Sequence, residues 1–359
     1  MYKIAKEKLP NLYAALQNIG TLLLPCKNKS GHADFAPYRE DAEVALDAPL
    51  TNRSAKLTNR SAKDVFFPQV ENLLTFKTSG KELALEQNIP PAGVTIVMGV
   101  RACDARSFKI LDKVFLKAPV DTYYKTRREQ CVLIGLGCSA PEETCFCHAF
   151  GIDASAPETD VQTWLAGEEL CWQAVTAKGE ELTAKLVEGG VLAEAEAASA
   201  KAISEQKEQT QKILSVLPLH DFKVNNELAK DELKVFHSKI WEQLAAGCLS
   251  CCTCTYVCPT CHCYDIRDYQ ETEERTQRYR CWDSCMAKDF TLMAHGSPRK
   301  TKVERFRQRY MHKLVYFPEN NDGEYACVGC GRCLQKCPVQ LNIVKVAKAL
   351  EKAEVKQDV

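Results

Sequence analysis

Two copies of one cysteine pattern constrain this chain more than anything else in it. Cys248, Cys251, Cys254 and Cys258 are separated by two, two and three residues, and Pro259 follows. Cys327, Cys330, Cys333 and Cys337 repeat that spacing, with Pro338 after them. This is the spacing of a bacterial [4Fe-4S] ligand run: three thiolates wrap three corners of a cubane, and the fourth ligates the other cluster. Proline after the fourth cysteine fixes φ and removes an N–H, which helps to turn the chain away. One cluster is therefore expected on Cys248, Cys251, Cys254 and Cys337, and a second on Cys327, Cys330, Cys333 and Cys258. Zinc also binds CxxC pairs, so a zinc-organised interaction module is the competing reading. Two such runs of four, each closed by proline, exceed what a tetrahedral ion requires.

The rest of the chain favours metal over disulfides. It holds 20 cysteines in 359 residues, and its start, "MYKIAKEKLPNLYAAL", lacks the apolar core of a secretory signal. Such clusters in a reducing cytosol are metal sites more often than disulfide scaffolds, so a cytoplasmic location is expected. The 47 basic and 47 acidic residues balance, which gives no reason to expect nucleic acid or a charged membrane surface. No run of eighteen apolar residues exists to enter a bilayer.

The cysteines also divide the chain. None lies between Cys171 and Cys248, where "LAEAEAASAKAISEQKEQTQKIL" reads as helix. A boundary near "LPLHDF" gives an α/β domain over residues 1–222 and an α-helical, dicluster ferredoxin-type domain over 223–359. In the first, "VTIVMGV" (94–100) and "CVLIGLG" (131–137) read as buried strands. In the second, "DELKVFHSKIWEQLAAG" reads as one helix feeding the cysteine run. Its Leu233, Phe236, Ile240 and Leu244 are spaced as a core-packing stripe. The 68 residues between Cys258 and Cys327 exceed a minimal ferredoxin linker and suggest a helical insert, with Phe306, Tyr310 and Leu314 at helical spacing. Its Arg305, Arg307, Arg309, His312 and Lys313 either offset the negative charge of cluster–thiolate cages or form a solvated face. The near-duplicate "TNRSAK-L-TNRSAK" (51–63) is too short for an architectural repeat and reads as a tandem loop insertion to which the sequence assigns no function.

A second cysteine group belongs to the first half. Cys103 follows the first strand and Cys138 the second, so parallel strands would bring both to the carboxyl edge where open α/β sheets place ligands. Cys145 and Cys147 could return to the same spot, and four thiolates would complete another cluster. The plainer alternative is four inert buried cysteines. "GLGCSA" imitates a dinucleotide fingerprint, but that motif must open a helix, and Pro141 follows closely. No P-loop is present, and "CCT" at 251–253 is not the CCG of disulfide-reducing domains.

With both halves read, the chain resembles the beta subunits of soluble sulfhydrogenases and the A subunits of anaerobic sulfite reductases. The resemblance rests on "GVRACD", "LDKVF", "DTYYKTRRE", "TCFC", "CPTCHCYD", "WDSC", "RFRQRYMHK" and "CVGCGRC…CP", in that order. It implies an electron-relay subunit between a flavin- and NAD(P)H-handling subunit and a catalytic subunit. A hydrogenase comes first and a sulfite reductase second. It also implies two C-terminal [4Fe-4S] clusters and adds weight to a third on Cys103, Cys138, Cys145 and Cys147. Cys261, Cys263 and Cys285 fall in its motifs and either form a further site, completed by His262 or Cys281, or pack as buried thiols. Cys252 and Cys281 are expected to be peculiar to this chain. No nucleophile–base pair is evident, so no catalytic residue is assigned and the organic chemistry is expected elsewhere. An autonomous enzyme would need its own flavin or substrate site.

Overall fold

A computed structural model describes residues 1–46, 58–224 and 232–355. Its first strands are β1 (Tyr2–Ala5), β2 (Thr21–Lys27) and β3 (Ala33–Pro37). They are followed by β4 (Val70–Ser79), β5 (Glu82–Gln87), β6 (Thr95–Val100) and β7 (Cys131–Leu136). Then come β8 (Val161–Ala166), β9 (Glu169–Ala174) and β10 (Ala193–Glu194), and in the second half β11 (Tyr264–Thr272) and β12 (Arg275–Trp282).

The two expected strands are the centre of a sheet ordered β10-β1-β9-β8-β7-β6-β2-β3. β2, β6, β7 and β8 run parallel to one another. Both faces are covered, which is why β6 and β7 read as continuous apolar runs rather than alternating ones. Ile96, Met98 and Ile134 pack on one side with Leu12, Leu16, Leu182 and Leu186 of the helices Leu9–Ile19 and Ala177–Glu188. Val97, Val100 and Leu133 pack on the other with Phe108 and Leu111 of the helix Ala102–Phe115. Full burial of each such side chain contributes roughly 1.5–3 kcal/mol. After β7 the chain runs as a loop through residue 146, so "GLGCSA" opens no helix there.

The second half is not purely helical. Helices Ile240–Ala246, Lys302–Met311 and Ile343–Val355 are present, but the insert between the two motifs also carries the β11–β12 hairpin. β12 pairs with β4, giving a second sheet ordered β11-β12-β4-β5 that takes strands from both halves. Most of β11 and all of β5 are exposed, so the hairpin shows no apolar stripe. The buried Arg280 guanidinium fixes it by pairing with Glu71 and Asp121, and Glu71 also pairs with Arg127. Arg280→Met leaves Glu71 its second partner, so the expected cost is that of charged hydrogen bonds, about 1.5–3 kcal/mol. Amide exchange should quicken across β11 and β12; unchanged exchange would mean that strand pairing alone holds the hairpin.

The helix expected over "DELKVFHSKIWEQLAAG" is two pieces, Glu232–His237 and Ile240–Ala246. The break shifts the inward face: Val235, Trp241 and Ala245 are buried, while Leu233 is exposed. Trp241 Nε1 donates to the Val235 carbonyl at 2.7 Å across the break. Phe306, Tyr310 and Leu314 are buried as their spacing suggests.

Candidate metal centres

The structure brings Cys248, Cys251, Cys254 and Cys337 to the wall of one pocket. The loop that carries the first three turns through Ser250 and Cys252, both left-handed at φ 52° and 61°. Such backbone costs about 1–3 kcal/mol per non-glycine residue and clusters at functional sites. It lets the Ser250 amide point back at Cys248 Sγ (3.4 Å), as the Leu341 amide points at Cys337 Sγ (3.2 Å). Amides aimed at sulfur favour the thiolate form. Cys251 is exposed, so this set reaches the surface.

Cys258, Cys327, Cys330 and Cys333 lie deeper. Burial, followed by the Cys330, Cys258 and Cys327 sulfurs, pushes the Cys333 thiol well above its ordinary value against the pull of Arg309. Burial and the neighbouring Cys258 and Cys330 sulfurs, opposed by Lys313, push Cys327 up to about 12. Cys254 feels Cys258 as well as Cys248 and Cys251, so the two sets adjoin.

Cys103, Cys138, Cys145 and Cys147 converge as a third group. β6 and β7 are parallel neighbours, and the cysteines emerge beyond their carboxyl ends as the pattern suggests. Burial and then the Cys138 and Cys147 sulfurs raise Cys145. Cys147, raised mainly by burial to about 12, also feels Cys138 and Cys330. The loop holding Cys145 and Cys147 lies on the second motif: the Phe146 amide donates to the Gly329 carbonyl at 2.9 Å. Gly329 and Gly331 are left-handed (φ 59° and 78°), and a Cβ on either would collide with residues 144–147. Thr210 Oγ1 donates to the Cys138 carbonyl at 2.6 Å.

Three buried cations surround the middle set. Lys63, Arg309 and Lys313 are only 3%, 3% and 4% exposed. Lys63 Nζ donates to the carbonyls of Cys258 and Cys261, both at 2.9 Å. Arg309 Nη2 donates to the Cys254 carbonyl at 3.0 Å, Nη1 lies 3.5 Å from Cys261 Sγ, and Nε has no partner. Lys313 Nζ lies 3.4 Å from Cys258 Sγ. Burial works against the Lys313 charge, but the Cys258 and Cys261 sulfurs outweigh it and hold its pKa above the ordinary value. None of these hydrogen bonds goes to a carboxylate. Buried cations without carboxylate partners need another anion. The charge run is therefore not one solvated face: Arg305 is buried too, and Arg307 stacks on Phe236 at 3.6 Å.

Sequence reasoning missed Lys63 and Thr58. Both belong to the second TNRSAK copy, whose Thr58 accepts from Arg332 through its carbonyl (2.9 Å) and hydroxyl (3.0 Å). The first copy, 51–56, lies outside the described residues. Nothing local marks Lys63 as special. Arg332, inside "CVGCGRC", could have been singled out by its place between two ligand candidates.

Of the remaining thiols, Cys285 pairs with Cys263, and Cys261 lies against Cys258 of the middle set. Cys261 donates to the sulfur of Cys258, which lowers Cys258; Cys285 does the same for Cys263, taking it down to about 7. Cys281 lies apart on β12, and Cys252 donates to the Ser250 carbonyl at 3.4 Å. His262 Nδ1 is engaged with the Thr260 carbonyl at 3.0 Å.

The donor sets fit iron–sulfur cubanes better than single ions. Among the described residues no three Cys, His, Asp or Glu side chains converge closely enough for one ion. In a cubane each thiolate takes its own iron, so its thiols stand apart. Buried thiols that raise one another as neighbours also await a cation to stabilise the thiolate form.

Residues 247–341 match the family model described as a 4Fe-4S dicluster domain. The chain is also 30% identical over 360 aligned positions to Sulfhydrogenase 2 subunit beta of Pyrococcus furiosus, covering 96% of each protein.

Proposed function

The chain belongs to the sulfhydrogenase beta-subunit family, and from that membership we propose that it relays electrons between a flavin-bearing, NAD(P)H-handling subunit and a hydrogenase-type catalytic subunit. It is an iron–sulfur electron-transfer subunit. No helix among the described residues is long and apolar enough to cross a membrane.

In this reading residues 223–359 carry two clusters and residues 1–222 a third. Cys248, Cys251, Cys254 and Cys337 hold the outer one, with Cys251 at the surface facing a redox partner. Cys258, Cys327, Cys330 and Cys333 hold the middle one, and Cys103, Cys138, Cys145 and Cys147 the third. [4Fe-4S] clusters so held supply one-electron transfer. The chain's own residues do the rest. Phe306, Met286 and Tyr310 exclude water behind the outer set, while buried cations and sulfur-directed amides adjust charge around each set.

The observation that carries the reading is the contiguity of the three sets, from exposed Cys251 through Cys254 and Cys258 to Cys330 beside Cys103 and Cys147. Anaerobically purified protein is expected to be brown, with about twelve irons and reducible EPR signals, and inactive alone. About eight irons would leave the C-terminal pair only. A colourless, zinc-loaded protein, or turnover with bound flavin in isolation, would overturn the relay.

A further inference from the structure

Within the helical segment after Thr301, one stretch departs from α geometry. The helix Lys302–Met311 passes into a π-helix, His312–Tyr316, before resuming at Phe317–Asn320. π-helical turns are rare and occur frequently at functional sites. Lys313 sits in this one, and its side chain runs inward.

All three ammonium protons of Lys313 have a destination. Nζ donates to the Ala326 carbonyl at 2.7 Å and to Thr260 Oγ1 at 2.8 Å, and it points at Cys258 Sγ at 3.4 Å. Thr260 Oγ1 itself contacts Cys258 Sγ at 3.2 Å and donates to the Ala326 carbonyl at 2.8 Å. The Lys313 carbonyl accepts from the Ala326 amide at 3.2 Å. One residue thus binds the segment behind Cys258 and the residue before Cys327.

Of the three buried cations around the middle set, Lys313 is the one whose hydrogen bonds include the sulfur of a proposed ligand. Arg332, the cation beside Cys330, is neutralised by Asp104 at 2.6 Å. Arg309 is divided between the Cys254 carbonyl and Cys261. The hydrogen bonds of Lys313 include no carboxylate, and its sulfur contact is a proposed ligand of the middle cluster.

We propose that Lys313 sets the reduction potential of the cluster held by Cys258, Cys327, Cys330 and Cys333, and makes that cluster the electron sink of the relay. This rests on the ligand reading above. One electron enters from the adjacent cluster, no bond forms or breaks, and Lys313 keeps its three protons. A fixed positive charge in a low-dielectric site favours the form with one more negative charge. Lys313 acts through Cys258 and is a positioning residue for charge.

The test is an EPR-monitored redox titration of the full chain, with iron counted on each sample. Cys258→Ser first identifies the signal of the middle cluster; if it changes neither iron nor any signal, the ligand reading fails rather than the role of Lys313. In Lys313→Met, that signal is expected to move to lower potential by at least a tenfold change in the one-electron equilibrium, about 59 mV. The other signals should stay in place, and Lys313→Arg should restore most of the shift. If the methionine variant loses iron, Lys313→Gln, which keeps amide donors without the charge, carries the comparison. Intact iron with an unmoved midpoint would overturn the proposal, as would an equal shift of every signal. Loss of iron in the Gln and Arg variants alike would do so too, because Lys313 would then be purely structural.

Discussion

Cys145→Ser, purified anaerobically, is expected to carry about four irons fewer than the unaltered chain, one cubane's worth. Serine is nearly isosteric but offers a hard oxygen where soft thiolate selects iron–sulfur chemistry. Cys145 sits close to Cys138 and Cys147, and Cys138 to Cys103. The loop carrying it is fixed by the Phe146–Gly329 hydrogen bond, so a lost ligand has no neighbouring thiol free to replace it within that set. The EPR signals of the two C-terminal clusters should persist, which separates loss of one centre from general unfolding. An unchanged iron count would remove the third cluster and leave four buried thiols in its place.

Arg332→Met is expected to destabilise the chain by about 3–5 kcal/mol, because it strands a buried carboxylate. Arg332 and Asp104 are each 1% exposed, and the guanidinium donates to both Asp104 oxygens, at 2.6 and 2.8 Å. It joins the second cysteine motif to the helix that begins beside Cys103. Replacing both partners removes the stranded charge, so Asp104→Leu with Arg332→Met should recover much of the loss. Anaerobic urea titrations followed separately by far-UV CD and visible absorption check this, because bound cofactors break two-state behaviour. A single-variant cost below about 1 kcal/mol, the range of exposed pairs, would show that the joint is fastened elsewhere.

The candidate metal centres were legible where their logic is local. Ligand spacing in the two motifs is a property of eleven consecutive residues, and the proposed ligand exchange between motifs is an expectation from cluster geometry. β6 and β7 could be read because both their faces are buried. The hairpin β11–β12 could not: its partner strand lies far away in sequence, and its exposed faces carry no alternation. The break at Ser238 escaped because the stripe Leu233, Phe236, Ile240 and Leu244 is continuous on paper. Lys63 and Thr58 had no signature, since their importance comes from Cys258, Cys261 and Arg332 at the other end of the chain.

That distance matters for how the protein is made. Glu71 on β4 waits for Arg280 on β12, 209 positions later. At about 5–20 residues per second on the ribosome, the edge of β4 stays open for roughly ten to forty seconds in every nascent chain. An unpaired edge is a template for pairing with other chains, and β5 beside it exposes Leu83 and Leu85 even in the finished fold. Newly made protein therefore passes through a window in which self-association competes with closure. Slower translation or crowded expression should widen that window, diverting chains to aggregates before any iron is inserted.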